Sequence, residues 1–266
     1  MAFLHGIANT VAWILRILGY RRKVIDDNLR RAFPDVSNDK RKRISHSFYR
    51  NVADIMLESI KSLSITEKNI RKRVTLENRE MFETLKKHNR GVMVVMGHYT
   101  NFEWVALAMP LLVPHETFAV YGRIKNSKVN QWVVNLRQRF GLQLFQMKDT
   151  YSFMLNNPSK APLYLFMADQ APHKGKIKYR APFFNIDTPT HLGSEKLAKK
   201  CNLAVVFIHV TRIRRGHYKI TPKLLFEHPE QTEQYAITNA HVAELETQIR
   251  RKPSDWLWSH KRWKNT

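Results

Sequence analysis

A single cysteine, Cys201, excludes an intramolecular disulfide and suits a reducing compartment. It falls between a lysine-rich segment and an apolar one, and reads as a small packing residue. The 12 histidines are scattered, and no cysteine-histidine cluster has structural-zinc spacing, so no metal and no cofactor are expected. Acidic residues are scarce, 22 against 45 lysines and arginines, which leaves a net charge of +23. An excess of that size concerns partners rather than fold: nucleic acid, an anionic membrane, an acidic protein or a phosphorylated substrate. No internal repeat, low-complexity tract or domain linker breaks the chain. With 43% apolar and 25% charged residues it reads as a folded protein with one sizeable core, not a disordered one.

Also missing is an apolar run of the roughly 20 residues that a membrane-spanning helix wants. The first eighteen residues come nearest, with Phe3, Leu4, Ile7, Val11, Trp13, Ile14, Leu15, Ile17 and Leu18. They are interrupted by His5, Asn9, Thr10 and Arg16, and show no small-residue cleavage signature of a signal peptide. Cations follow at Arg21-Arg22-Lys23, Arg30-Arg31 and Lys40-Arg41-Lys42-Arg43. An apolar helix leading into basic clusters describes a segment lying in a membrane interface, held by anionic lipid. A buried amphipathic helix fits the same pattern.

Asn38-Asp39 is expected to cap a helix through Ile44, Phe48, Val52, Ile55 and Ile60, and residues 74–87 read as a short extended piece followed by a helix. From Gly91 the pattern alternates. Strands are expected at 91–96, 117–121, 142–147 and 161–168, with helices at 102–112 and 129–140 and a short one behind Asp149. Pro189 behind Thr188 suits the start of a helix reaching Lys200. Residues 203–213 and 217–225 read as a hairpin around Arg214-Arg215-Gly216, and 233–250 as a last helix. The fold class is therefore α/β: an αβα sandwich with a mostly parallel mixed sheet, one antiparallel edge and an N-terminal helical segment at the membrane.

His98 and Glu103 stand directly behind the first of these strands, the imidazole at the strand-to-helix turn and the carboxylate in the helix's first turn. Five residues apart on one helix they would point about 140° away from each other. They can meet only if His98 precedes the helix and turns back, as a base with its orienting partner. A lone histidine with an acidic residue at this spacing also arises by chance. Ligands in such sheets gather outside the carboxyl ends of the strands. His98, Asp169 and Arg123 all follow strand ends, and this shared edge is a stronger observation than any one motif.

Gly97-His98-x-x-Asn101-x-Glu103, Tyr121-Gly122-Arg123, Met167-Ala168-Asp169-Gln170, Ala181-Pro182-Phe183-Phe184 and the closing Trp258-Ser259-His260-Lys261-Arg262-Trp263 occur in that order. Together with the early Asn28-Leu29-Arg30-Arg31-Ala32-Phe33-Pro34, they resemble the lipid A late acyltransferases, within the lysophospholipid acyltransferase superfamily. The likeness spans essentially the whole chain. In one departure, Gly122 stands between the tyrosine and arginine that the family usually joins directly.

The resemblance implies transfer of an acyl chain from an acyl carrier protein thioester to a hydroxyl of a phosphorylated glycolipid, a lipid A precursor. It places the chain at the cytoplasmic face of the inner membrane. It also implies His98 as general base, Glu103 as its orienter, Arg123 as a phosphate clamp and Asp169 as an acidic residue near the site. Asn101 and Arg212 join the candidate substrate-binding set. Residues 1–70 would form a membrane-associated helical region and 71–266 the catalytic region of one continuous domain.

No serine or cysteine is placed as a nucleophile, which favours direct transfer. Pro182-Phe183-Phe184 and Met167 are candidates for an acyl tunnel or plain core, and the Trp256–Trp263 tail for a membrane interface or a packed lid. A lysophospholipid or an amino-acid-based lipid is the alternative acceptor, and coenzyme A the alternative donor. A basic nucleic-acid-binding protein is the remote alternative. No recognised nucleic-acid motif supports it and no nucleic-acid partner is expected.

Overall fold

The computed structural model describes residues 1–264. The chain opens with helices α1 (Ala2–Ile17), α2 (Arg22–Ala32), α3 (Asn38–Lys61) and α4 (Glu67–Arg73). Strand β1 (Val74–Leu76) and helix α5 (Arg79–Lys87) lead into the alternating region. There β2 (Val92–Met96), α6 (Phe102–Leu112), β3 (Glu116–Tyr121), α7 (Ser127–Arg137), β4 (Gln143–Gln146), α8 (Thr150–Asn156) and β5 (Pro162–Met167) follow one another. A small hairpin, β6 (Arg180–Phe183) and β7 (Ile186–Pro189), precedes α9 (Gly193–Lys200). The long strands β8 (Ala204–Arg214) and β9 (His217–Phe226) and helix α10 (Ala236–Arg251) complete the regular elements.

Seven strands form the main sheet in the order β1-β9-β8-β2-β5-β3-β4. Strands β8, β2, β5, β3 and β4 are parallel neighbours, whereas β9 runs antiparallel to β8 and β1 runs with β9. The expected antiparallel edge is thus two strands wide.

Alternation along the central strands divides the core. Val92, Val94 and Met96 pack on one face with Leu163, Leu165 and Val206, while Met93 and Val95 pack on the other with Tyr164, Phe166 and Val205. With both faces buried, β2 is a continuous apolar run rather than an alternating one. Helix α6 covers the first face, and α8 and α9 contribute Met154, Leu197 and Ala198 to the second.

Two local expectations are corrected. Pro189 does not begin a helix: it ends β7, pairing with Arg180, and the helix starts at Gly193. A proline lacks the N–H of a ladder and is tolerated at a strand end. Phe184-Asn185 closes this hairpin with both residues at positive φ (54° and 58°). That is a two-residue turn of the primed kind, made without glycine. Second, α3 is capped by Ser37, whose Oγ accepts from the Lys40 N–H, rather than by Asn38 or Asp39.

Helix α1 lies antiparallel on α3. Ala8 and Ala12 pack against Ala53, and His5 reaches Glu58 at 3.2 Å. Its other face leaves Phe3, Ile7, Trp13, Ile14 and Ile17 exposed. No helix among the described residues is long and apolar enough to cross a membrane.

Candidate active site

Because β2 and β5 are parallel neighbours, with Met96 opposite Met167, the residues that follow them are delivered side by side. Ala168 N–H closes the ladder on Met96 O at 3.0 Å. His98 and Asp169 come next. Asp169 Oδ1 lies 2.6 Å from His98 Nδ1, and Oδ2 accepts the His98 backbone N–H at 2.8 Å. A carboxylate only accepts, so Nδ1 carries a proton, and in the neutral ring Nε2 keeps the lone pair. Nε2 has no hydrogen-bond partner among the described residues, and the side chain keeps 16% of its surface. The ring rests edge-on against Phe102, centroids 4.9 Å apart.

The turn itself is tightly determined. A Cβ at Gly97 would sit 3.3 Å from Asp169 Oδ2 and 2.5 Å from Leu245 Cδ1. Thr100, fully buried, has φ at 47°, an uncommon state for a β-branched residue that costs about 1–3 kcal/mol. Its N–H bonds to Asp255 O at 2.7 Å, and the Leu257 N–H bonds to His98 O at 3.1 Å. The segment after α10 therefore pins the turn that carries His98 from outside the sheet.

Burial alone would push the His98 pKa down. The charge and hydrogen bond of Asp169 more than offset it, Glu103 adds to the rise, Arg137 opposes it, and the net shift is upward. Asp169 is buried, which favours its neutral form, yet His98 and the donors on its carboxylate hold it well below the usual range.

The carboxylate hydrogen-bonded to His98 is thus Asp169, and Glu103, expected as its orienting partner, makes no bond to it. Glu103 lies in the first turn of α6, where it receives Arg137 of α7 in a two-pronged contact, Nε to Oε2 at 3.0 Å and Nη2 to Oε1 at 2.5 Å. Its charge reaches His98 without a bond. Two candidates for substrate binding are also corrected. Asn101 is fully buried: Oδ1 caps α6 by accepting the Trp104 N–H at 2.9 Å, and Nδ2 donates to Glu58 Oε2 at 2.6 Å. Arg212 points into the protein, where it pairs with Asp54 at 3.0 Å, bonds Asn51 and lies over the Tyr218 ring.

Arg123 does sit on the predicted edge, exposed in the loop after β3 and without a partner among the described residues. Phe183 and Phe184 are buried in an aromatic cluster with Trp256, Trp258 and Trp263, so they are core rather than tunnel, and the tryptophan tail is packed. Arg137 was missed because nothing local marks a residue 34 positions from its partner. No group of three or more histidine, cysteine or acidic side chains among the described residues could hold a metal. The arrangement can accept a proton at Nε2 and stabilise the resulting imidazolium, which suits activation of a hydroxyl.

A family model described as "Bacterial lipid A biosynthesis acyltransferase" matches residues 1–265. The chain is 24% identical over 250 residues to a protein named "Lipid A biosynthesis palmitoleoyltransferase" from Escherichia coli (strain K12). It has the same identity to a "Lipid A biosynthesis acyltransferase" from Shigella flexneri. Each alignment covers 92% of this chain and 79% of the relative.

Proposed function

Because the chain belongs to the bacterial lipid A biosynthesis acyltransferase family and is an acyltransferase, we propose that it moves a fatty acyl group from an acyl carrier protein thioester to a hydroxyl of a lipid A precursor, with His98 as general base. The observation that carries this reading is the His98–Asp169 pair at the carboxyl ends of β2 and β5, its Nε2 free to take a proton. The acceptor oxygen attacks the thioester carbonyl carbon as its proton passes to Nε2. The tetrahedral intermediate then collapses, and the leaving thiolate takes the proton from the imidazolium. Asp169 holds the tautomer and Glu103 adds negative charge that favours the imidazolium. Arg123, exposed on the same edge, would meet a phosphate of the acceptor.

The test compares wild type with His98→Ala at equal folded concentration, using carrier-loaded acyl chains and a lipid A precursor with a free hydroxyl. Wild-type turnover and a loss of about 10²–10⁴-fold in the variant are expected. Transfer only to a lysophospholipid or an amino lipid would replace the acceptor. Activity indifferent to His98→Ala would remove the mechanism.

Residues 1–70 would serve as the membrane-associated region, at the cytoplasmic face of the inner membrane. Supporting this, the exposed apolar side chains of α1 lie close in sequence to Arg16, Arg21, Arg22 and Lys23. The protein is expected to float with anionic vesicles at low salt and less so at high salt, because screening weakens the electrostatic part. Trp13→Glu should weaken flotation in both conditions. Binding unchanged by that substitution and by salt would rule out α1 as the contact.

A further inference from the structure

Asp169 accepts a third hydrogen bond that the chemistry above does not use. Trp256, 1% exposed, donates its indole N–H to Oδ2 at 2.8 Å, onto the same oxygen that takes the His98 backbone N–H. Trp256 belongs to a short strap, residues 255–260, laid across the carboxyl ends of β2 and β5. It bridges to Tyr99 in antiparallel fashion, and the residues on either side bond the catalytic turn at Thr100 and His98. His260 Nε2 accepts the Ala171 N–H at 3.1 Å, which ties the strap to the loop carrying Asp169. The N-terminal helices hold the strap in turn: Asn28 Nδ2 donates to Trp258 O and His260 O at 2.8 and 2.7 Å, and Asn51 Nδ2 to Asp255 O at 3.2 Å.

We propose that Trp256 is a positioning residue, whose indole N–H fixes the orientation and charge of Asp169 and through it sets His98. The inference rests on the His98–Asp169 reading above. The physical argument concerns a donor in a dry site. Each N–H on a carboxylate spreads and stabilises its negative charge, which lowers the field it exerts on a partner. Without the indole donor, Oδ2 would keep only the His98 backbone N–H. The carboxylate would be held by His98 alone, through Nδ1 and the backbone N–H, and its charge would be more strongly felt at Nδ1.

Other charged and titratable groups face the pair from every side. Glu103 of α6 and Arg137 of α7 face His98, His241 of α10 and Arg262 face Asp169, and His260 of the strap faces both.

The experiment substitutes Trp256→Phe, which keeps an aromatic ring and removes the donor. The control is Trp258→Phe. That indole is equally buried in the same aromatic cluster, but donates to Pro253 O at 2.6 Å and does not touch Asp169. Two quantities are read: the titration midpoint of the His98 imidazole by NMR, assigned with His98→Gln, and kcat and KM for acyl transfer across pH.

Trp256→Phe should raise the His98 midpoint by several tenths of a pH unit. The acid limb of kcat/KM should move up with it, and kcat should fall while KM holds. Trp258→Phe should lower thermal stability and leave the midpoint where it is. If the His98 midpoint stays or falls in Trp256→Phe, or moves equally in the control, the proposal is overturned. Should the midpoint rise while His98→Ala leaves acyl transfer intact, Trp256 still sets the pair, and it is the general-base reading that fails.

Discussion

Asp169→Asn is expected to lower acyl transfer by about 10³–10⁴-fold with the fold intact, because an amide presents a donor where Nδ1–H needs an acceptor and so favours the wrong tautomer. The sign of the accompanying pH effect follows from the cause of the shift. Asp169 raises the His98 pKa, so in wild type the base becomes neutral, and competent, only as pH rises past a value above the ordinary one of about 6.5. Removing the charge lowers that value, and the residual activity should show its acid limb at lower pH than wild type. Glu103→Gln should displace the limb in the same direction by less, since Glu103 reaches His98 through charge alone. Turnover measured across pH for the three proteins decides between the two carboxylates. If Glu103→Gln moves the limb more than Asp169→Asn does, the assignment of the orienter is wrong.

The second large effect is on stability. Asp54 is 2% exposed as a side chain and takes Arg212 at 3.0 Å together with Arg215 in a two-pronged contact. Breaking a buried pair so that one charge is left stranded costs about 3–5 kcal/mol, and here Arg215 still holds Asp54, so that cost is an upper bound. Arg212→Met should therefore lower the melting temperature by at most roughly 6–20 °C, taking 2–4 °C per kcal/mol for a chain of this size. Its remaining folded fraction should keep the wild-type KM, because Arg212 faces Asp54 and Asn51 rather than the catalytic edge. A raised KM with an unchanged melting temperature would restore Arg212 to the substrate site. Glu58, fully buried beside this network and bonded to Asn101, His5 and Tyr218, extends it from the first helix to the cap of α6.

The alternation of β2, α6, β3, α7, β4, α8 and β5 was legible because each strand is a short apolar run bounded by polar or glycine-containing turns. The shared edge of His98, Arg123 and Asp169 was legible for the same reason, since strand ends in parallel sheets lie together. What the residues could not reveal was which of the three touch. Met96 pairs with Met167 across an intervening stretch of 70 residues, a long-range fact of strand order. That order, and not the five-residue spacing, selects Asp169 over Glu103. The β6–β7 hairpin escaped notice because its turn places Phe184 and Asn185 where glycine is the usual signal. Arg212 was misjudged because a sequence records a charge but not the direction in which a strand aims it.

The strap across the two strand ends has a consequence for synthesis. The pair Asn28 and Trp258 is separated by 230 positions, yet joined by a hydrogen bond. Contacts of such reach form late, after the ends of a long loop have been brought together. A ribosome adding about 5–20 residues per second finishes Trp256 on the order of ten to thirty seconds after His98. Through that interval the nascent chain carries its imidazole without the indole that bonds the neighbouring carboxylate, so the completed site waits on the strap.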